Sequence, residues 1–167
     1  VTTSAEQRIQ LPAREDFCTA MAQLATGVAV ITTNGPDGPV GCTANAVLSL
    51  STEPPALLVS LASNGRTVRF AREHGGFAVN ILSWQQRPLI DRFARLPANE
   101  RFVGVGHRDE MNCPVLEGTA ATVVCRLDQA TPALDHTLLI GAALWTSYDP
   151  AAQALVLYQR HEHVLTE

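Results

Sequence analysis

Short β-branched runs separated by turn residues recur along this chain without helices alternating regularly between them, and that pattern leaves few architectures open. Val28 to Thr33 is β-branched apart from Ala29, and Asn34-Gly35-Pro36-Asp37-Gly38 supplies the residues that reverse a strand. Val40 to Leu50 is therefore expected to return as the second arm of a long hairpin. Pro54-Pro55 interrupts the pattern, and Ala56 to Leu61 follows as a short apolar strand suited to burial on both faces. Phe77 to Leu82, Ala121 to Gln129, Thr137 to Ser147 and Ala154 to Gln159 read as further strands.

Helical spacing is confined to three places. Phe17, Met21 and Leu24 follow Glu15 and Asp16, with Gly27 as the expected terminator. Gly65 to His74 ends at Gly75-Gly76, and Gln85 to Arg95 puts Leu89, Ile90 and Phe93 on one face before Pro97. Ala98 to Pro114 reads as a long loop rich in charge and Gly. Six or seven strands with two or three short helices predict a mainly β protein, an antiparallel barrel with helices at its ends.

A chain of 167 residues that is 46% hydrophobic has enough apolar material for one core, so residues 14–167 are expected to form a single domain. Residues 1–13 are polar and aperiodic and are expected to be a flexible arm or a segment wrapping a partner subunit. The net charge is −4, and every basic residue is Arg. Without a basic stripe to displace counterions, nucleic-acid binding is disfavoured. Cys18, Cys42, Cys113 and Cys125 show no CxxC spacing, and the opening residues lack the basic and apolar regions of a secretion signal. These features predict free thiols in a reducing cytoplasm. No apolar run approaches the roughly 20 residues of a membrane-spanning helix.

No glycine-rich phosphate loop is present: Gly104-Val105-Gly106 runs into His107-Arg108-Asp109 and does not join a strand to a helix. A nucleotide, if bound, must be held some other way. Gly41-Cys42-Thr43-Ala44-Asn45-Ala46 interrupts an apolar strand with small residues, which would let a flat ligand reach the backbone, with Thr43 and Asn45 on one face. An ordinary strand carrying a satisfied polar pair would read the same way. Ser63-Asn64-Gly65-Arg66-Thr67 gathers hydroxyls, helix N–H groups and a guanidinium, as a phosphate requires, although capping by Ser63 or Asn64 would account for it too. His136, in Asp135-His136-Thr137, opens a strand and is either a surface residue or a group placed near a carboxamide. His161-Glu162-His163 offers two imidazoles, too few to hold a metal alone, and no functional metal is expected. No nucleophile elbow or Ser-His-Asp order supports hydrolysis.

Several segments occur in a telling order: Leu24-Ala25-Thr26-Gly27-Val28-Ala29-Val30-Ile31-Thr32, Thr43-Ala44-Asn45-Ala46, Leu48-Ser49-Leu50 before Pro54-Pro55, Phe77-Ala78-Val79-Asn80-Ile81-Leu82, Arg92-Phe93-Ala94 and Asp135-His136-Thr137-Leu138-Leu139-Ile140-Gly141. In this order they resemble the short-chain flavin reductases, the reductase components of two-component flavin-dependent monooxygenases. The resemblance implies an FMN-binding split β-barrel working as a homodimer, with FAD or FMN as dissociable flavin and NADH or NADPH as hydride donor. It implies that Thr26, Gly27 and Val28 seat the isoalloxazine, with Thr43, Ala44, Asn45 and Ala46 along it. Ser63, Arg66 and Thr67 match the phosphate-side segment, His136 the histidine near the nicotinamide, and Phe93 a wall of the pocket.

Two departures bear on cofactor preference. Arg160 is followed by His161 where the family commonly has Gly, and Ala46 stands where Ser is frequent, removing one hydrogen bond to the ring. The implied chemistry is hydride transfer from nicotinamide C4 to flavin N5, for which the protein supplies mainly position. A barrel with permanently bound FMN, a flavin or haem carrier without reductase activity, and a small metalloprotein built on His161 and His163 are the alternatives.

Overall fold

The β-branched run that opens the hairpin is buried on both of its faces, and the rest of the molecule is arranged around it. The computed structural model describes residues 11–165. In chain order its elements are α1 (Arg14–Met21), β1 (Thr26–Gly27), β2 (Ala29–Gly35), β3 (Gly38–Ala44), β4 (Val47–Thr52), β5 (Pro55–Ala62), α2 (Arg66–His74), β6 (Gly76–Ile81), a 3-10 turn (Trp84–Gln86), α3 (Pro88–Arg95), β7 (His107–Glu110), β8 (Cys113–Leu116), β9 (Ala121–Ala133), β10 (His136–Tyr148), β11 (Leu155–Tyr158) and β12 (His161–Val164). Residues 1–10 of the expected N-terminal arm lie outside the described residues.

Seven strands form one antiparallel sheet in the order β3-β2-β6-β9-β10-β5-β4, beside a β1-β11-β12 sheet and a β7-β8 hairpin. Within β2 the side chains alternate between two cores. Ala29 and Ile31 pack with Leu57, Val59, Phe77 and Leu139, whereas Val30 joins Val28, Leu82, Phe93 and Leu116. That is why Val28 to Ile31 is apolar throughout instead of alternating. β5 does the opposite of what was expected. Only Leu57, Val59 and Leu61 are buried, so a single face is covered.

The large sheet begins at β3 and ends at β4, with no ladder between those two strands among the described residues. The expected long arm from Val40 to Leu50 is therefore two strands. The chain leaves the first edge at Ala44, turns at Asn45–Ala46 and enters the opposite edge, where the Ala46 carbonyl accepts a 3.0 Å bond from the Ser60 N–H. This corner places Asn45 between the two edges of one sheet.

Buried polar groups are satisfied within the frame. Asn80 is fully buried; its Nδ2 donates to the Val30 carbonyl at 3.0 Å and to Thr32 Oγ1 at 2.9 Å, and its Oδ1 accepts from the Leu116 N–H at 2.8 Å. One side chain thus ties β2, β6 and β8 together. α2 ends at Gly75, whose φ of 79° is the left-handed conformation that glycine adopts without strain, as its position after His74 predicts. α1 stops at Met21 instead of reaching Gly27, which belongs to β1.

Candidate functional site

Most of the expected site residues line two grooves, one reached from β3 before Ala44 and the other from the corner after it; Ala44 is itself buried at the end of β3. The first, of about 410 Å³, is lined by Thr26, Gly27, Val28, Asn45, Val47 and Ser49. The second, of about 400 Å³, is lined by Gly41, Cys42, Thr43, Arg66, Thr67, Phe93 and Arg101. Thr43 and Asn45, expected to share a face, thus serve different grooves, because β3 ends between them and the chain turns. Ala46 lines neither groove; its carbonyl holds the corner.

Small residues make the first groove. Gly27 has open space where a side chain would stand, and Thr26 pairs with Leu157 and Gly27 with Val156, so β11 fixes this short strand. A flat ring can approach such a backbone closely. The flanks are apolar and exposed: Phe17 and Leu24 are 57% and 60% exposed, and Leu48 and Leu50 49% and 46%. α1 buries no residue at all.

The second groove is positive. Its lining holds two arginines and no carboxylate. Thr43 Oγ1 donates to the Ile90 carbonyl at 2.7 Å, which brings α3 and its buried Phe93 to the groove wall. Phe93 is held edge-on against Phe102, ring centroids 5.0 Å apart. Burial raises the Cys42 thiol above its usual range and outweighs the opposing effects of a Thr67 hydrogen bond and the Arg101 charge. Arg66 begins α2 after the N-cap Gly65, and no side chain caps that end, so neither Ser63 nor Asn64 acts as the cap. Ser63 and Arg66 share a further hollow on the outer side of α2.

His136 lines neither groove. It opens β10 opposite Ala62, next to Ser63, whose N–H donates to the Asp135 carbonyl at 3.0 Å and whose hydroxyl lies 2.8 Å from Thr137 Oγ1. His136 Nδ1 is 2.8 Å from Asp135 Oδ1, and that hydrogen bond holds the exposed Asp135 carboxyl below its usual range. Arg160 borders a hollow under α1 together with Thr26 and Asn45. It has a φ of 66° and follows Gln159 at 49°, whereas His161 is ordinary strand. The unusual backbone therefore precedes the position where glycine was expected. Among the described residues no three His, Cys, Asp or Glu side chains gather as a metal site. No helix among them is long and apolar enough to cross a membrane.

Sequence reasoning missed Arg101, and it took Gly41 and Cys42 only as part of the small-residue stretch. Cys42 and Gly41 lie in the quoted small-residue stretch, where strand periodicity would have put Gly41 on the Thr43 face. Arg101 stands alone in a loop, and no local signal marks it.

Residues 21–166 match the family model of the flavin reductase like domain. An FMN reductase (NADH) RutF of Variovorax paradoxus (strain S110) is 39% identical over 152 residues, covering 90% of this chain and 84% of that protein. The structure of the flavin reductase PheA2 in its native state aligns with a TM-score of 0.84 at 30% identity, covering 93% of this chain and all of that one. BorF, the flavin reductase component of a bacterial two-component tryptophan halogenase, aligns with a TM-score of 0.85 at 26% identity, covering 93% and 99% of the two chains. The family model and the relatives agree, and the chain belongs to the flavin reductase-like domain family.

Proposed function

We propose that this protein passes hydride from NADH or NADPH to a dissociable FAD or FMN and releases the reduced flavin to a separate flavin-dependent monooxygenase. The observation that carries the reading is the pairing of a small-residue groove with a cationic one across Ala44, which suits a flat ring joined to a phosphate. When bound, flavin and nicotinamide supply the redox chemistry themselves, as hydride acceptor and donor. The protein's residues position them. Thr26, Gly27, Val28 and Asn45 seat the ring, Thr43, Arg66 and Thr67 hold the phosphate side, and Phe93 forms a wall. Ala44 and Ala46 shape the corner, Ser63 stays with Arg66 on the phosphate side, and His136 lies at the nicotinamide side. The relatives' names, FMN reductase (NADH) among them, support a nicotinamide-to-flavin reaction.

The working unit in this reading is a homodimer of residues 14–167, a split barrel whose seam is covered by the exposed Phe17, Leu24, Leu48 and Leu50. Arg160 completes the rim. Four free cysteines suit a cytoplasmic protein.

Steady-state oxidation of NADH and NADPH, each with FAD and with FMN, tests the reading. Turnover is expected to depend on added flavin, and the protein to lose flavin on gel filtration. Nicotinamide oxidation that is absent, or indifferent to added flavin, contradicts it.

A further inference from the structure

We infer that Arg69 and Arg72, on the outward face of α2, form a steering surface that draws phosphate-bearing flavin toward the grooves and sets how fast it is captured, without touching it once bound. This rests on the flavin reading above and adds to it the way the flavin arrives.

The chain as a whole works against such a ligand. Its net charge is −4 and a flavin phosphate is itself anionic, so the average field of the protein repels it. α2 reverses that sign locally. Three of the chain's 12 basic residues, Arg66, Arg69 and Arg72, recur at a spacing of three along this one helix. They line a hollow of about 680 Å³ together with Ser63 and Asn64, and Glu73 is the single carboxylate in that lining. The uncapped N-terminus of α2 adds the partial positive charge of a helix end at Gly65, which borders the hollow too.

Position separates the three arginines. Arg66 lines the second groove as well as this hollow, whereas the second groove takes nothing from α2 beyond Val68. At the helical rise of about 1.5 Å per residue, Arg72 starts roughly 9 Å along the axis from Arg66. Arg69 and Arg72 are thus exposed charges leading up to the groove, not part of its wall. The Arg69 guanidinium rests 4.2 Å from the centroid of the buried Phe70 ring and 3.8 Å from Glu73 Oε1. An exposed pair at that distance is weak. Arg72 forms no ion pair among the described residues.

Every polar side chain lining the hollow is exposed, so the hollow offers a field and not a fitted site. Such charges act over the Debye length, about 30 Å at 10 mM salt and about 3 Å at 1 M, and at low salt the field of Arg72 therefore extends past Arg66. An attraction felt during approach but not in the bound state raises the association rate and leaves dissociation alone. Rapid refilling is then compatible with a flavin that also leaves readily.

Stopped-flow flavin fluorescence tests this, with FMN as the ligand and riboflavin, which lacks the phosphate, as the control. In about 10 mM salt the Arg69→Gln, Arg72→Gln double variant should take up FMN about threefold to tenfold more slowly than the wild type, with FMN dissociation and riboflavin uptake unchanged. The difference should close as NaCl is raised to about 500 mM. Arg72→Glu, at a residue with no ion pair to lose, should slow FMN more than Arg72→Gln, and it supplies the reading should the double variant not fold. Equal FMN association rates in wild type and variants overturn the inference, as does weaker FMN binding that comes from faster dissociation, or a slowing shared by riboflavin. The flavin reading itself fails on different evidence: a wild type that binds neither FMN nor riboflavin.

Discussion

Thr43 Oγ1 donates a 2.7 Å hydrogen bond to the Ile90 carbonyl, and through it β3 holds α3 at the groove wall. The hydroxyl's one proton is therefore used within the fold, and only its lone pairs face a ligand. Thr43→Val keeps the side chain's shape while losing that bond, and should lower the unfolding free energy by about 1 kcal/mol in urea titration. A Val variant as stable as its parent would show that the bond does not hold α3.

Gly141 sits at a register shift in β10, and a Cβ there would stand 2.6 Å from the Cys125 Cβ and 2.7 Å from Phe77 Cζ. Both neighbours are core residues with no room to retreat. Gly141→Ala should cost about 1–3 kcal/mol by overpacking, read as a fall in melting temperature. Unchanged melting would mean that the strand yields there.

The cysteines divide by burial. Cys18 is exposed, whereas burial first of all, with nearby negative charge adding to it, pushes the Cys113 and Cys125 thiols from 9.0 up to about 11 and about 12. One fast-reacting thiol is expected with a maleimide near neutral pH, and Cys113 and Cys125 should join it only on unfolding. A raised pKa means the native state binds the proton more tightly. The corresponding stability is intact below pH 9 and declines as pH climbs toward 11–12. Early labelling of Cys113 or Cys125, or a flat alkaline stability profile, would contradict this.

His136 stands beside Ser63 and is bonded to Asp135, outside both grooves. His136→Ala should mainly raise the apparent KM for the pyridine nucleotide, with a smaller change in flavin affinity. An effect confined to flavin affinity would place His136 elsewhere in the cycle. Asp135 follows the opposite pH sign to the thiols. Its depressed pKa makes its contribution present above the ordinary carboxylate range and lost as acid protonates it.

Much of this was legible in the residues. The run after Gly27, the turn at Asn34 to Gly38 and the helix ended by Gly75 all appear where hydrophobic period and turn chemistry place them. What escaped is explained by pairing. β7 is His107-Arg108-Asp109-Glu110, with no apolar alternation, and exists because it pairs with the fully buried β8; β12 is an equally polar edge. β9 runs on past the expected end at Gln129 and through Thr131-Pro132, because β6 reaches only Arg126 and leaves β9 without a neighbour on that side beyond it. The split at Asn45–Ala46 carries no Gly or Pro to announce it. The site was half visible for the same reason. Residues on the quoted segments line the two grooves in part, and Arg101, brought there by a loop, carries no local signal.

The most direct measurement is the anaerobic bleaching of excess FMN by NADH with a trace of the protein. The account predicts that many equivalents of flavin lose their yellow absorbance per protein chain, faster than in protein-free controls. Bleaching at the uncatalysed rate, or of no more than one equivalent per chain, would contradict it.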